Sequence, residues 1–193
     1  MSPGRYLAVL LAFGSQRLIE LAYSRRNERR IRARNAAVPS AAASSFKWIV
    51  LTNAALFTLP AVERFLRRRH RVPAAVMAIG WLGALGGLGL RLSVLRSLCQ
   101  AWTVRALVPA DLPVVDRGPY RFIRHPNYLA LGLEFAGLPL LGGAYGSAVL
   151  LSLINGWLLA ERIQQEEALL MVIPEYQRRM GQKPRFVPRL TSH

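Results

Sequence analysis

Val72-Pro-Ala-Ala-Val-Met-Ala-Ile-Gly-Trp-Leu-Gly-Ala-Leu-Gly-Gly-Leu-Gly-Leu90 carries no charged residue from end to end. A helix rising about 1.5 Å per residue needs about 20 mostly apolar residues to cross a hydrocarbon core about 30 Å thick. This stretch has that length, and its Gly83, Gly86, Gly87 and Gly89 suit close helix packing. Residues 135 to 160 are also free of charge, but Leu138-Pro-Leu-Leu-Gly-Gly143 interrupts them with a helix breaker and two glycines. They read as a helical hairpin, its first arm starting near Tyr128 and its second running from Ala144 past Glu161. Trp48 to Val62, extendable from Phe46 to Leu66, is a further span. Tyr6 to Gln16 is a fifth, interrupted by Arg17 and Glu20 before it reaches Tyr23.

No segment shows the sustained alternation of a strand. The expectation is therefore an all-α, integral membrane helical bundle with about five transmembrane helices. Residues 1–193 form a single domain, with N-terminal membrane helices over 1–98. Residues 99–193 supply a loop, the hairpin and a cytoplasmic cap. Arg5 ahead of an apolar run resembles a signal peptide, but no small-residue cleavage site follows, so the segment reads as retained.

Composition points the same way. The 193 residues carry a net charge of +16 while 52% of them are hydrophobic, and mean hydropathy is +0.23. Disordered basic tails lack such apolar content, and soluble nucleic-acid binders of this charge are rarely so hydrophobic. Arginines in loops beside anionic headgroups reconcile the two, each worth about 1 kcal/mol near the surface. Lipid bilayer, rather than nucleic acid, is the expected partner. The single cysteine, Cys99, excludes an intramolecular disulfide, and His70, His125 and His193 lack metal-ligand spacing.

Arg25, Arg26, Arg29, Arg30, Arg32 and Arg34 place the first interhelical segment in the cytoplasm. Arg96, Arg105, Arg117, Arg121 and Arg124, and the C-terminal Arg178, Arg179, Lys183, Arg185 and Arg189, do the same for their segments. Alternation of five spans then puts Arg64, Arg67, Arg68, Arg69 and Arg71 outside, against the positive-inside rule. Either the second span lies on the surface or the larger cytoplasmic cluster outvotes it.

Two polar regions are too specific for plain loops. Leu112-Pro-Val-Val-Asp-Arg-Gly-Pro-Tyr-Arg-Phe-Ile-Arg-His-Pro-Asn-Tyr128 holds a Gly118-Pro119 turn and a helix start at Pro126 or Asn127. A helix start can hold a carboxylate on its free N–H groups; the alternative is an interfacial loop with basic and aromatic anchors. In Glu161-Arg-Ile-Gln-Gln-Glu-Glu167, Arg162 and Glu166 share one helix face. They read equally as a surface ion pair or as a ligand pair, with Glu166 meeting a cationic or hydroxylated group and Arg162 an anionic one.

The run Gly118-Pro-Tyr-Arg-Phe-Ile-Arg-His-Pro-Asn-Tyr128, the broken hairpin, Arg162 to Glu167, Tyr176 and Pro184-Arg-Phe-Val-Pro188 together resemble the isoprenylcysteine carboxyl methyltransferase family. The likeness extends roughly over residues 100 to 188. Ser24-Arg-Arg-Asn-Glu-Arg-Arg30 is similar to a bacterial subgroup linked to type III polyketide synthases, which make alkylated pyrones and phenols. The resemblance implies S-adenosyl-L-methionine as cofactor, under a cytoplasmic cap in the bacterial inner membrane. By position it implies that Pro113, Val114 and Val115 line the cofactor and that Tyr120 stacks near it. By the same resemblance His125, Pro126, Asn127 and Tyr128 would form the main cofactor contact, Glu166 would take a polar group of the same molecule, and Arg162 would face the acceptor. The eukaryotic enzymes have a histidine where Leu112 stands, and Arg105 occupies another contact position.

Methyl transfer then goes to a carboxylate or hydroxyl of a lipophilic or prenylated acceptor. A carboxylate needs no base; a phenol would draw help from Arg162 or Glu167. Glu134, costly in lipid, faces the protein interior. Three alternatives stand beside this: a sterol-type NADPH reductase, a phospholipid N-methyltransferase, and a non-enzymatic basic protein binding anionic lipid or RNA.

Overall fold

The computed structural model describes residues 1–34, 46–67, 71–105, 107–108 and 114–188. Their helices are α1 (Pro3–Arg34), α2 (Phe46–Leu66), α3 (Ala74–Leu98), α4 (Pro126–Gly142), α5 (Tyr145–Leu170) and the short α6 (Pro174–Met180). Two 3-10 turns, Cys99–Ala101 and Gly118–Arg121, lie between α3 and α4. No strand element occurs among the described residues, as an all-α bundle requires.

Helix α4 is the central element. Eleven of its 17 residues are buried, and α1, α2, α3 and α5 all pack on it. The most extensive contact in the bundle is α3 on α4. Small residues make it possible. A Cβ added at Gly80 would lie 2.9 Å from the Leu141 backbone N, one at Gly87 2.8 Å from the Ala130 carbonyl, and one at Gly137 2.5 Å from the Ala84 N. Gly83 faces the Leu133 carbonyl in the same way. Of the glycines read from the sequence as packing residues, Gly83 and Gly87 serve this contact, whereas Gly86 and Gly89 face open space. Spacing of three to four residues keeps Gly80, Gly83 and Gly87 on one helix face.

The hairpin forms with its turn later than the Pro-Gly-Gly sequence suggests. Helix α4 runs through Pro139, because a proline in the last turn removes only one backbone hydrogen bond. Gly143, at φ 69°, ends it, while the Pro139 and Leu140 carbonyls accept the N–H groups of Ala144 and Gly143. Glu63 of α2 caps α5, accepting from the N–H groups of Gly146 (3.2 Å) and Ser147 (2.8 Å) and from the Ser147 hydroxyl (2.7 Å). Arg64 beside it is buried and donates to the Met1 carbonyl at 2.9 Å. Helix α2 is thus a member of the bundle, packed on α1, α4 and α5. Arg64 lies at the end opposite the C-termini of α1, α3 and α5, as alternating helices require; Arg68 and Arg69 fall outside the described residues.

Helix α1 corrects a second expectation. It continues without a break through Arg17 and Glu20 for 32 residues. Both charges turn inward: Arg17 pairs with Glu134 and Glu20 with Arg91. Meanwhile large apolar side chains point outward, among them Leu11, Leu18 and Ile19 on α1, Leu82 on α3, and Leu153 and Trp157 on α5. Charges inside and hydrocarbon outside is the pattern of a bundle solvated by lipid.

Among the described residues two helices, α2 and the stretch Ala74–Ala101 that contains α3, are long and apolar enough to cross a membrane. About five were expected. The apolar run of α1 is broken by its buried charges, α4 has only 17 residues, and Ser147, Ser152 and Asn155 dilute α5.

Gly137→Ala is expected to destabilise the bundle by about 1–3 kcal/mol, because its Cβ meets backbone that cannot move aside. Gly86→Ala should leave the thermal midpoint unchanged or raise it, alanine being the better helix former by up to about 1 kcal/mol. Thermal unfolding in detergent distinguishes the two.

Candidate functional site

At the end of the bundle where α1, α3 and α5 finish, the chain between α3 and α4 folds back to wall a cleft that is open on one side. Its apolar lining includes Leu98, Trp102, Leu107, Val114, Val115 and Leu170. Its polar lining is Thr103 and the group Tyr120, Arg124, His125, Asn127, Tyr128, Arg162, Glu166 and Tyr176.

Local folding follows from a few constraints. Gly118, at φ 58°, sits so close to α3 that an added Cβ would lie 2.2 Å from Ser97 Oγ, and Arg117 Nε donates to the Ser97 carbonyl at 3.0 Å. The Gly118-Pro119 turn read from the sequence is therefore docked on the end of α3. Pro126 opens α4, and His125 precedes it. The Arg124 and His125 N–H groups donate to the carbonyls of Pro184 and Arg185, at 3.0 and 3.1 Å, while Tyr128 and Leu129 return to the His125 carbonyl. The start of α4 thus directs much of its donor capacity into the protein, not toward a carboxylate in the cleft.

The predicted pair Arg162 and Glu166 is bridged rather than directly joined. Arg162 Nε donates to the Tyr128 hydroxyl at 2.9 Å, and that hydroxyl in turn donates to Glu166. Arg162 also donates to the Val104 carbonyl, and its guanidinium lies 5.5 Å from the Tyr128 ring centroid. Arg162 and Tyr128 are both buried, so the surface ion-pair alternative does not describe this structure. Burial, and then the charge of Glu166, push the Tyr176 hydroxyl above its ordinary range and keep it a neutral donor.

Of the other predicted residues, Val114, Val115, Tyr120, His125 and Asn127 line the cleft. Pro126 starts α4 without lining it, and Leu112 and Pro113 fall outside the described residues. Arg105 lies outside the cleft lining, 3.7 Å from Glu28 and over the Phe46 ring. Glu167, expected as a base, does not line the cleft either. Helix geometry turns it one residue on from Glu166, toward the C-terminal segment. There it meets His125 Nε2 at 2.9 Å, Arg185 Nη2 at 2.5 Å and Arg124 Nη2 at 3.3 Å.

Residues 183–186 form a strap over the loop. Lys183 binds Asp116 and the Tyr120 carbonyl, Arg185 binds Glu167, and Phe186 lies 6.4 Å from the His125 ring. The opposite wall is held by α1, where Ser24 accepts the Val104 N–H at 2.8 Å and buried Asn27 donates to the carbonyls of Cys99 (3.0 Å) and Trp102 (2.9 Å). Sequence reasoning missed this. Ser24, Asn27 and Ile31 form a buried stripe at helical spacing through the arginine run, and that stripe was the available signal.

Burial pushes the Glu167 carboxyl up, but hydrogen bonds from Arg185 and His125 and the charge of Arg124 outweigh it and hold it below the usual range. A depressed carboxylate contributes stability that is present above its unfolded pKa and is lost as pH falls through the folded one. Thermal midpoints measured from neutral pH downward should therefore fall on acidification. Glu167→Gln should lower the neutral-pH midpoint and make that acid limb shallower.

Residues 79–172, which contain α4, most of α3 and α5, and the intervening loop, match the model of the isoprenylcysteine carboxyl methyltransferase (ICMT) family. The chain is also 30% identical over 169 residues to the uncharacterized protein YpbQ of Bacillus subtilis (strain 168), a match covering 85% of this chain and 94% of that protein. An all-helical chain with apolar helices, carrying that family's match across the elements that build the cleft, belongs to the isoprenylcysteine carboxyl methyltransferase family of membrane methyltransferases.

Proposed function

We propose that the protein is an S-adenosyl-L-methionine-dependent O-methyltransferase, acting at the cytoplasmic face of the bacterial inner membrane on a lipophilic acceptor with a carboxylate or hydroxyl oxygen. The observation that carries this reading is the Arg162–Tyr128–Glu166 relay in the lining of a cleft that also has apolar surface. The donor set fits the cofactor: Glu166 offers a carboxylate to an ammonium or ribose hydroxyl, and Val114, Val115 and Leu170 offer apolar surface to an adenine ring. Arg124 Nε, buried and without a hydrogen-bond partner in this structure, is a donor that a ligand could satisfy. When bound, the cofactor supplies a methyl group that passes to the acceptor oxygen as the carbon–sulfur bond breaks, the electron pair staying on sulfur.

The chain's own task is positioning and exclusion of water, which can supply several kcal/mol. Arg162 is locked by two of its own contacts and so presents its charge to an acceptor oxygen in a fixed place. It keeps a carboxylate ionised or lowers the cost of a phenolate. Glu167 acts indirectly, by holding His125 and the strap. The basic ends of α1 and α6 and of the loop share the side of the cleft, which the positive-inside rule assigns to the cytoplasm. Prenylcysteine-like acids and alkylpyrones or phenols are the acceptor classes that such a site accommodates.

Calorimetric titration of S-adenosylhomocysteine into the detergent-purified protein tests the reading. Saturable binding is expected, weakened about tenfold by Glu166→Gln, the effect of losing one hydrogen bond to a charged group. Saturable NADPH binding with no homocysteine signal would overturn it in favour of a reductase. With an acceptor in hand, Arg162→Ala should raise the acceptor KM while leaving homocysteine affinity nearly unchanged.

A further inference from the structure

A second polar cluster lies inside the bundle, away from the cleft lining. Arg91 of α3, the largest fully buried side chain among the described residues, binds Glu134 of α4 through Nε at 3.1 Å and Nη2 at 3.4 Å. Glu20 of α1 lies 3.5 Å from Arg91 Nη1, and Arg17 pairs with both Glu20 and Glu134. Two positive and two negative groups thus meet at the junction of three helices. Such ion pairs seldom add net stability, since desolvating each ion costs several kcal/mol. Ionisable groups within a membrane bundle, costly to place, tend to mark function.

The cluster has one further contact, and it leads to the cleft. Arg91 Nη1 donates to Asn127 Oδ1 at 3.2 Å, and Asn127 lines the cleft beside His125 and Tyr128. A guanidinium has five donors and no acceptor, so the Asn127 amide can face it only with its oxygen. Its nitrogen is left as a donor for whatever occupies the cleft. The register comes from the helix contact: Asn127, Ala130, Glu134, Gly137 and Leu141 of α4 run along one face opposite Arg91, Gly87, Gly83 and Gly80 of α3.

We propose that Arg91, held by Glu134 and Glu20, which Arg17 also pairs, is a positioning residue for the methyltransferase site. It fixes the Asn127 amide in one orientation, so the N-terminal helix α1, which contributes no lining side chain, contributes to ligand affinity through buried charge. Asn127 consequently reads a hydrogen-bond acceptor on the ligand and rejects a donor at the same place. The ligand used to test this rests on the S-adenosylmethionine reading; the amide orientation does not.

Two measurements on the full-length protein in detergent separate these. First, the five asparagines give few side-chain amide signals when 15N-labelled, and Asn127→Asp identifies the one from Asn127. Arg91→Lys, which keeps the charge against Glu134 but not the three-pronged reach, should shift and broaden that signal. An unchanged signal overturns the proposal whatever the cofactor is. Second, S-adenosylhomocysteine should bind Arg91→Lys about tenfold more weakly than wild type, the size of one hydrogen bond to a charged group. Combining Arg91→Lys with Asn127→Ala should cost no more than Asn127→Ala alone. Additive losses would show that Arg91 acts by another route and overturn the proposal. If Arg91→Lys does not fold, the charge-neutral pair Arg91→Gln with Glu134→Gln, which leaves Arg17 opposite Glu20, takes its place with the same expectations. A wild-type protein that binds no homocysteine overturns the cofactor reading, while the amide signal still decides the orientation.

Discussion

Close approach of α3 to α4 is the constraint on which the remainder depends. Without a hydrophobic driving force between helices in lipid, association relies on backbone contact and dispersion, which demand small residues. Gly80, Gly83 and Gly87 provide them on α3 and Gly137 on α4, with carbonyl and amide groups where side chains would otherwise stand. That contact sets the register that brings Arg91 to Glu134 and Asn127, and docks the Gly118 turn against Ser97. The cleft floor is therefore an extension of a glycine-mediated helix pair.

Three peripheral segments complete the site from this base. The C-terminal strap ties Lys183 to the turn and Arg185 to Glu167, placing a backbone hydrogen bond on each of Arg124 and His125. The far end of α1 holds the Trp102–Val104 wall through Ser24 and Asn27. Arg162 reaches the same wall from α5 at the Val104 carbonyl. Each closure uses a polar side chain on a backbone group of an irregular segment, the means by which non-helical chain is satisfied near a membrane. Arg162 and His125 in the cleft lining are accordingly tied to neighbouring segments by their own hydrogen bonds.

Much of this was legible. Uncharged stretches gave the helices around 46–66, 74–98 and the hairpin, since lipid tolerates few charges and length follows from bilayer thickness. The loop from Val114 to Tyr128 and the Arg162–Glu166 face were legible as well, because their residue types lie close in sequence and at helical spacing. Less visible were partners distant in the chain. Arg17 and Glu20 looked like interruptions of a span, when each is neutralised by a residue 70 or more positions away. Adjacent glutamates at 166 and 167 were both expected to act in the site, one on the cofactor and one on the acceptor, yet one helical step of about 100° sends one into the cleft and the other to the strap.

By itself, then, the amino-acid sequence determined an all-helical membrane architecture, its basic cleft-side segments and many of the residue types that line the cleft, because these depend on local composition and helical period. Tertiary structure alone decided which glycines touch a neighbour, that Tyr128 stands between Arg162 and Glu166, that Glu167 holds His125, and that Arg91 joins the bundle's buried charges to Asn127. Those facts depend on the relative rotation and depth of packed helices. One residue of rotation changes which side chain faces inward, and the sequence pattern of a single helix does not contain its partner's register.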